Sequence, residues 1–352
     1  MSVLRRQSLT AYGAPLSETM TECPQPRGSE LLVRITRCGV CHSDLHIQDG
    51  YFLLGPEKKL DVKAGRSLPF TLGHEITGVV EQVGAHAAEV EPGDKVAVFP
   101  WIGCRGCAAC RRGQENICAA PRHLGINVDG GFASHVLVPH PRYLLRYGPL
   151  PEASAAILMC SGLTSYAALK RLADEAALGP LLLVGMGGVG MMGLILARQM
   201  FAEAPIIADI DPAKREAALA AGAAMAFDPR DQDARKKLLA ATDGGVHGAC
   251  DFVGSAQSVA FASAAIAKGG KVLVTGLFGG TLPMAVALFA LKAMTIQGIQ
   301  TGTLEEAREL LAFARERNLV FPAIHERPLA EAQPALEALR AGRVVGRTVL
   351  VP

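Results

Sequence analysis

Cys41-His42-Ser43-Asp44-Leu45-His46 and, one loop later, Gly73-His74-Glu75 offer a thiolate, an imidazole and a carboxylate that a single divalent metal could take together. A hydroxyl, Ser43, and a second imidazole, His46, stand close by in sequence. Zinc accepts sulfur, nitrogen and oxygen donors, and a catalytic zinc keeps three protein ligands and one open position. The combination points to zinc acting on an alcohol. Taken singly, a Cys and a His-Glu pair are ordinary loop residues, so the reading depends on the rest of the chain.

Cys104-x2-Cys107-x2-Cys110-x7-Cys118 is the most specific spacing present. Four thiolates on one loop complete a tetrahedral site and leave no open position, which makes a structural zinc the expectation. A nucleic-acid zinc ribbon would come with a basic surface; Arg105, Arg111 and Arg112 are near, but the formal net charge of the whole chain is only +2. An iron–sulfur cluster of the bacterial type would have a shorter last spacing followed by proline.

Leu181-Leu182-Leu183-Val184 runs into Gly185-Met186-Gly187-Gly188-Val189-Gly190, which opens a helix-like run, Met191–Met200. This is the order a pyrophosphate-binding turn requires: glycines for the tight turn and close backbone approach, then a helix N-terminus for the phosphate charge. Asp209 follows at the end of the next apolar run, at the distance expected of an acid that holds the adenosine ribose. It would accept from both ribose hydroxyls and repel a 2′-phosphate, and no arginine adjoins it in sequence, so NAD is expected over NADP. The competing role for Asp209 is to cap the helix that begins near Pro212.

The elements that must position these groups fall into two textures. From about Leu31 to Leu144 short alternating strands are separated by Gly and Pro turns, as in Leu31–Ile35 and Gly78–Gly84. From about Ser161 apolar runs (Leu181–Val184, Ile206–Ala208, Ala249–Val253, Lys271–Thr275) alternate with alanine-rich helical stretches, which implies βαβ units and a parallel sheet. A helix over Leu304–Arg317 and a strand over Arg347–Val351 are expected to return to the first domain. Gly179–Ala197 carries no charge, but Pro180 and five glycines from Gly185 to Gly193 make it a buried strand, turn and helix rather than a membrane span.

A chain of 352 residues has room for two domains. The near-neutral charge gives no reason to expect nucleic acid or a membrane as partner. Nine cysteines, mostly at metal-like spacing, argue for a reducing compartment, and Met1–Thr10 lacks the apolar segment of a secretory signal. The cytoplasm is the expected location.

Cys41, Gly73-His74-Glu75, the four-cysteine lobe, Cys160 and the Gly185–Gly190 turn stand in the order of the zinc-dependent medium-chain alcohol dehydrogenases, which the chain resembles over essentially its whole length. Gly73-His74-Glu75-Ile76-Thr77-Gly78, with Gly84 and Ala87, resembles that family's zinc signature. The resemblance implies an α/β protein. A β-rich GroES-like catalytic domain would take residues 1–161 and 301–352, and a Rossmann NAD-binding domain residues 162–300.

It further implies two zinc ions per chain: a catalytic one held by Cys41, His74 and Cys160, with Glu75 beside it as an alternate ligand, and the structural one. Cys160, inside Ala155-Ala156-Ile157-Leu158-Met159-Cys160, otherwise reads as core. By the same resemblance Ser43 and His46 form a proton relay across the nicotinamide ribose, and Asp44 orients the imidazole ligand. His42, Thr164, Val189, Lys214 and Arg347 contact the cofactor together with Gly185, Gly187, Gly188, Gly190 and Asp209.

Phe52, Trp101 and Leu277 could line a substrate channel, which would favour apolar alcohols, and the loop from Leu53 to Arg66 could form a lid or rim. Ser43 leaves room for a secondary or bulky primary alcohol. The alternatives are a polyol dehydrogenase or NADP-type aldehyde reductase of the same superfamily, and a non-catalytic regulatory or nucleic-acid-binding relative. Thr295–Gln300 resembles the edge that pairs subunits in the family, and a homotetramer is expected.

Overall fold

The computed structural model describes residues 3–55 and 57–352. The β-rich part is built on a seven-stranded sheet. Leu31–Gly39 lies at its centre, flanked by Glu75–Val83, His135–Val138 and the C-terminal strand Arg347–Val351. Ile324–Pro328 pairs in parallel with Arg347–Val351, so the last thirty or so residues complete the sheet begun by the first hundred. Leu31, Leu32, Val33 and Ile35 are buried, as expected of a strand of large and β-branched side chains packed on both sides.

The second sheet has six strands, all parallel: Met225–Phe227, Ile206–Ala208, Leu182–Val184, Val246–Asp251, Ile266–Val274 and Thr295–Gly298, in that spatial order. The chain order reverses between Leu182–Val184 and Val246–Asp251, and the glycine turn leaves the sheet at that switch point, where doubly wound folds bind their ligands. Leu182, Leu183 and Val184 are fully or almost fully buried, which explains the unbroken apolar run. Among the described residues no helix is long and apolar enough to cross a membrane.

Three boundaries differ from the sequence expectation. The glycine-turn helix spans Gly188–Met200, so the turn's last glycines already belong to its first coil. Val246–Asp251 ends early because the Asp251 carboxylate accepts the N–H groups of Val253 and Gly254 (2.9 and 3.2 Å) and folds the chain into a turn. The segment from Leu53 to Arg66 begins as a hairpin, Tyr51–Leu53 paired with Lys59–Asp61. This hairpin meets the nucleotide-side loop so closely that a Cβ at Gly279 would lie 2.2 Å from the Leu53 carbonyl oxygen.

Candidate active site

Cys41 caps the helix His42–Asp49 where the central strand ends. Asp44, in the first turn and fully buried, accepts the Cys41 N–H (2.9 Å) and, across to the next loop, the Gly73 N–H (3.2 Å). Its Oδ1 also lies 3.4 Å from His74 Nδ1. One carboxylate therefore fixes both halves of the sequence pattern, closing the capping box at Cys41 while contacting the imidazole. Cys160 comes from a third element, a π-helical turn Leu158–Gly162 between two α-helical segments. Such a bulge turns a side chain out of the regular helical ladder. The Trp101 indole N–H holds the turn in place through the Met159 carbonyl (2.9 Å).

These elements bring a donor atom from each of Cys41, His74, Glu75 and Cys160 within 4.8 Å of one another, with the two sulfurs 3.9 Å apart. His74 Nε2 is buried without a hydrogen-bond partner, and Nδ1 has only the long contact to Asp44. A buried polar atom without a partner is costly, and a metal among thiolate and imidazole donors would satisfy it. The donor set suits zinc. The hydrogen bond with Cys160 holds the Cys41 thiol well below its usual range despite burial, while the same contact and burial push Cys160 up. Burial lifts the Glu75 carboxyl to about 7, against the opposing pull of the Arg347 guanidinium.

Glu75 is ion-paired with Arg347, which also donates to the Val40 carbonyl (3.2 Å). The stem of Arg347 passes so near the glycine turn that a Cβ at Gly188 would lie 2.6 Å from its Cδ. Arg347 thus joins the cluster of candidate metal donors to the glycine turn, a link that sequence spacing does not reveal. Its buried Nε has no partner. Gly39 faces Glu75 across the sheet, and a Cβ there would fall 2.0 Å from the Glu75 carboxylate, so only glycine admits this pair.

Gly185 has φ +89, and a Cβ at Gly190 would lie 1.8 Å from the Gly185 carbonyl. The following helix has no side-chain cap, and nothing lies within 4 Å of a Cβ at Gly187. Its first amides are therefore available to a phosphate. Ser165 Oγ donates to the Val189 carbonyl (2.9 Å), fixing the turn against the helix that carries buried Thr164. Lys214 is half-buried in the first turn of the helix Pro212–Ala220.

Asp209 sits at the carboxyl end of Ile206–Ala208 and accepts the N–H groups of Met186 (2.6 Å) and Asp211 (2.8 Å). The helix at Pro212 is capped by Asp211, which accepts the Ala213 N–H (2.9 Å), so capping is not the work of Asp209. The expectation that no arginine stands beside it needs correction. Arg215 donates to the Asp209 carbonyl (2.7 Å), brought back by the first turn of the helix Pro212–Ala220.

Ser43 and His46, three residues apart, share a face of their helix, both half-buried. The His46 ring lies 4.6 Å from Phe52 and 5.7 Å from exposed His42. Burial, then the neighbouring charge of His42, lowers its pKa. Trp101 is buried 5.4 Å from the His74 ring and meets buried His123 edge-on at 5.3 Å. Leu277 is 53% exposed, more than a wall residue of an enclosed pocket would be.

In the lobe, the four sulfurs of Cys104, Cys107, Cys110 and Cys118 also lie within 4.8 Å of one another. Cys118 Sγ accepts the N–H groups of Cys104 (3.1 Å) and Ala120 (3.3 Å). Backbone hydrogen bonds draw the Cys107 thiol down to about 6. Buried Glu115 anchors the lobe, accepting the Gly103 N–H (3.0 Å) and the Tyr143 hydroxyl (2.6 Å). Cys23, Cys38 and Cys250 are free, buried thiols outside both clusters.

The sequence profile of the alcohol dehydrogenase GroES-like domain matches residues 27–149, and that of the zinc-binding dehydrogenases matches residues 188–316. An NAD-dependent alcohol dehydrogenase of Saccharolobus solfataricus is 36% identical, covering 99% of this chain and 100% of its own. One from Sulfurisphaera tokodaii is 35% identical over the same shares. The crystal structure of the alcohol dehydrogenase from Aeropyrum pernix superposes with a TM-score of 0.87 at 30% identity, covering 99% of this chain and 100% of that one. The chain belongs to the zinc-dependent medium-chain alcohol dehydrogenases. As a member of that family it is an oxidoreductase, transferring hydride between an alcohol and a nicotinamide dinucleotide with an aldehyde or ketone as the carbonyl partner. The GroES-like and Rossmann parts expected from the resemblance are the two sheets described above.

Proposed function

We propose that this alcohol dehydrogenase uses NAD, holds two zinc ions, and acts on apolar primary or secondary alcohols. The observation that carries the catalytic assignment is the convergence of Cys41, His74 and Cys160 from three separate elements, with the buried His74 Nε2 left without a hydrogen-bond partner. These three residues would hold the catalytic zinc with Glu75 as an alternate donor, and the lobe cysteines the structural one. Zinc in an open site supplies Lewis acidity that lowers the pKa of a bound hydroxyl, and NAD supplies the hydride acceptor. Residues 1–161 and 301–352 form the catalytic domain in this reading, and residues 162–300 the cofactor domain.

The residues of the chain manage the proton and the fit. Ser43 takes the hydroxyl proton and His46 delivers it to solvent; a lowered imidazole pKa keeps His46 neutral and receptive at neutral pH. Asp44 keeps His74 in place, and Arg347, Lys214, His42, Thr164, Val189 and the turn glycines hold the cofactor. Asp209 receives the adenosine ribose. Phe52 beside His46 and Trp101 beside His74 are the side chains assigned to the substrate channel, with Leu277 at its outer rim.

His46→Gln is expected to lower turnover at neutral pH roughly a hundredfold, the low end for loss of a general base, with partial rescue by added amine buffers. Because burial depresses its pKa, the acid limb belonging to His46 in the turnover profile falls below the ordinary imidazole value of about 6.5. An unchanged rate and profile would remove His46 from the relay. Assays on linear, cyclic and benzylic alcohols beside a polyol test the substrate reading. The apolar alcohols are expected to give the higher kcat/KM, and a preference for the polyol would reject it.

The parallel sheet ends on Thr295–Gly298, whose outer edge faces no described strand, next to exposed Val286, Leu288, Phe289 and Leu291. We assign this edge to subunit pairing in a homotetramer, for which light scattering that returned a monomer mass would be decisive against. The enzyme is placed in the cytoplasm on its cysteine usage.

A further inference from the structure

Asp209 and Asp228 follow paired parallel strands, Ile206–Ala208 and Met225–Phe227, with Ala208 opposite Phe227. The Asp209 N–H donates to the Phe227 carbonyl (3.1 Å), so the two acids emerge side by side at the adenosine end of the cleft. They are used differently. Both oxygens of Asp209 take backbone N–H groups at the mouth of the glycine turn. Asp228, largely buried, takes guanidinium groups: Arg215 Nη1 at 3.2 Å, and Arg230 through Nε at 3.0 Å and Nη2 at 2.6 Å.

The same arginines reach the backbone around Asp209. Arg215 donates to its carbonyl (2.7 Å) and Arg230 to that of Ile210 (2.8 Å). Two guanidinium groups therefore stand beside Asp209 and share one carboxylate, Arg230 through its fork and Arg215 through Nη1 alone. Guanidinium pairs are the side chains best matched to a phosphate monoester, which they grip through two parallel hydrogen bonds. Asp209 and Asp228 offset the charges of Arg215 and Arg230 one for one, and removing the two acids would leave both guanidinium charges without these partners.

We propose that Asp228 is a second cofactor-discriminating residue. Asp209 repels a 2′-phosphate, while Asp228 sequesters Arg215 and Arg230, which would otherwise receive one. The ligand class held off by this pair is an adenosine 2′-phosphate. The inference rests on the reading that Asp209 faces the ribose, and it goes beyond that reading in making the discrimination a two-acid device with arginines already in place.

The test uses full-length, zinc-loaded protein and titration calorimetry with adenosine 2′,5′-bisphosphate and 5′-AMP, backed by the NADP-to-NAD ratio of kcat/KM. Asp209→Gly is expected to improve bisphosphate binding about tenfold relative to 5′-AMP, the scale of one charge contact. Adding Asp228→Asn should improve it by a further factor of about ten, and Arg230→Gln on that double variant should remove the second gain. A circular dichroism spectrum and melting curve close to wild type certify that the variants are folded, with Asp228→Ser as the substitute if the asparagine is not tolerated. A double variant that binds the bisphosphate no better than Asp209→Gly overturns the proposal, as does a second gain that survives Arg230→Gln. If Asp209→Gly alone changes neither ligand's affinity, the ribose reading has failed and the inference with it.

Discussion

Cys160→Ala is expected to lower kcat/KM for alcohol oxidation by at least about a thousandfold and to reduce the zinc content from two ions per chain to one. A Lewis-acid metal contributes several kcal/mol to such a reaction, and about 4 kcal/mol is a thousandfold in rate. Glu75 is the one other donor in the cluster, and although it can serve as an alternate donor, a permanent replacement of the thiolate would require it to leave Arg347. It is buried against Arg347, and drawing it away would leave a guanidinium buried and unpaired, which costs about 3–5 kcal/mol. Metal analysis beside NADH formation checks the prediction; two retained zincs with a rate within tenfold of wild type would remove Cys160 from the ligand set.

The second large effect is on stability. Cys118→Ala should strip the lobe of its metal and lower the melting temperature by on the order of 10 °C, since loss of a structural metal belongs to the class of changes worth more than about 4 kcal/mol. Cys118 Sγ closes the lobe by accepting two backbone N–H groups, and Asn116 beside it donates to the Gln300 carbonyl (2.7 Å), tying the lobe to the end of the parallel sheet. Loosening the lobe therefore loosens a contact between the two parts of the molecule. Turnover at low temperature should persist, because none of the Cys41, His74 and Cys160 donors lies in the lobe. A chain one zinc short with an unchanged melting curve would contradict the structural role.

What could be read from sequence follows from how local each signal is. The glycine turn and the four-cysteine lobe are contiguous, so their spacing carries their geometry. Parallel strands such as Leu182–Val184 are buried on both faces and announce themselves as apolar runs. Cys160 is different, because its π-helical turn makes it a donor only in three dimensions; spacing alone files it with the core, and the family resemblance supplied it. The Glu75–Arg347 pair spans 272 residues and left no local trace except the glycines it requires, Gly39 and Gly188. Arg215 reaches Asp209 by helical return and Arg230 reaches the next carbonyl by strand pairing, so neither arginine adjoins Asp209 in sequence.

The most direct test of the central claim is NAD reduction by an apolar alcohol, followed in one preparation before chelation, after removal of the more exchangeable zinc, and after zinc is restored. The account predicts that activity disappears with that one ion while the fold persists, and returns with it. A folded protein carrying both zincs that reduces no NAD with any alcohol, or one that works equally well without the metal, would contradict it.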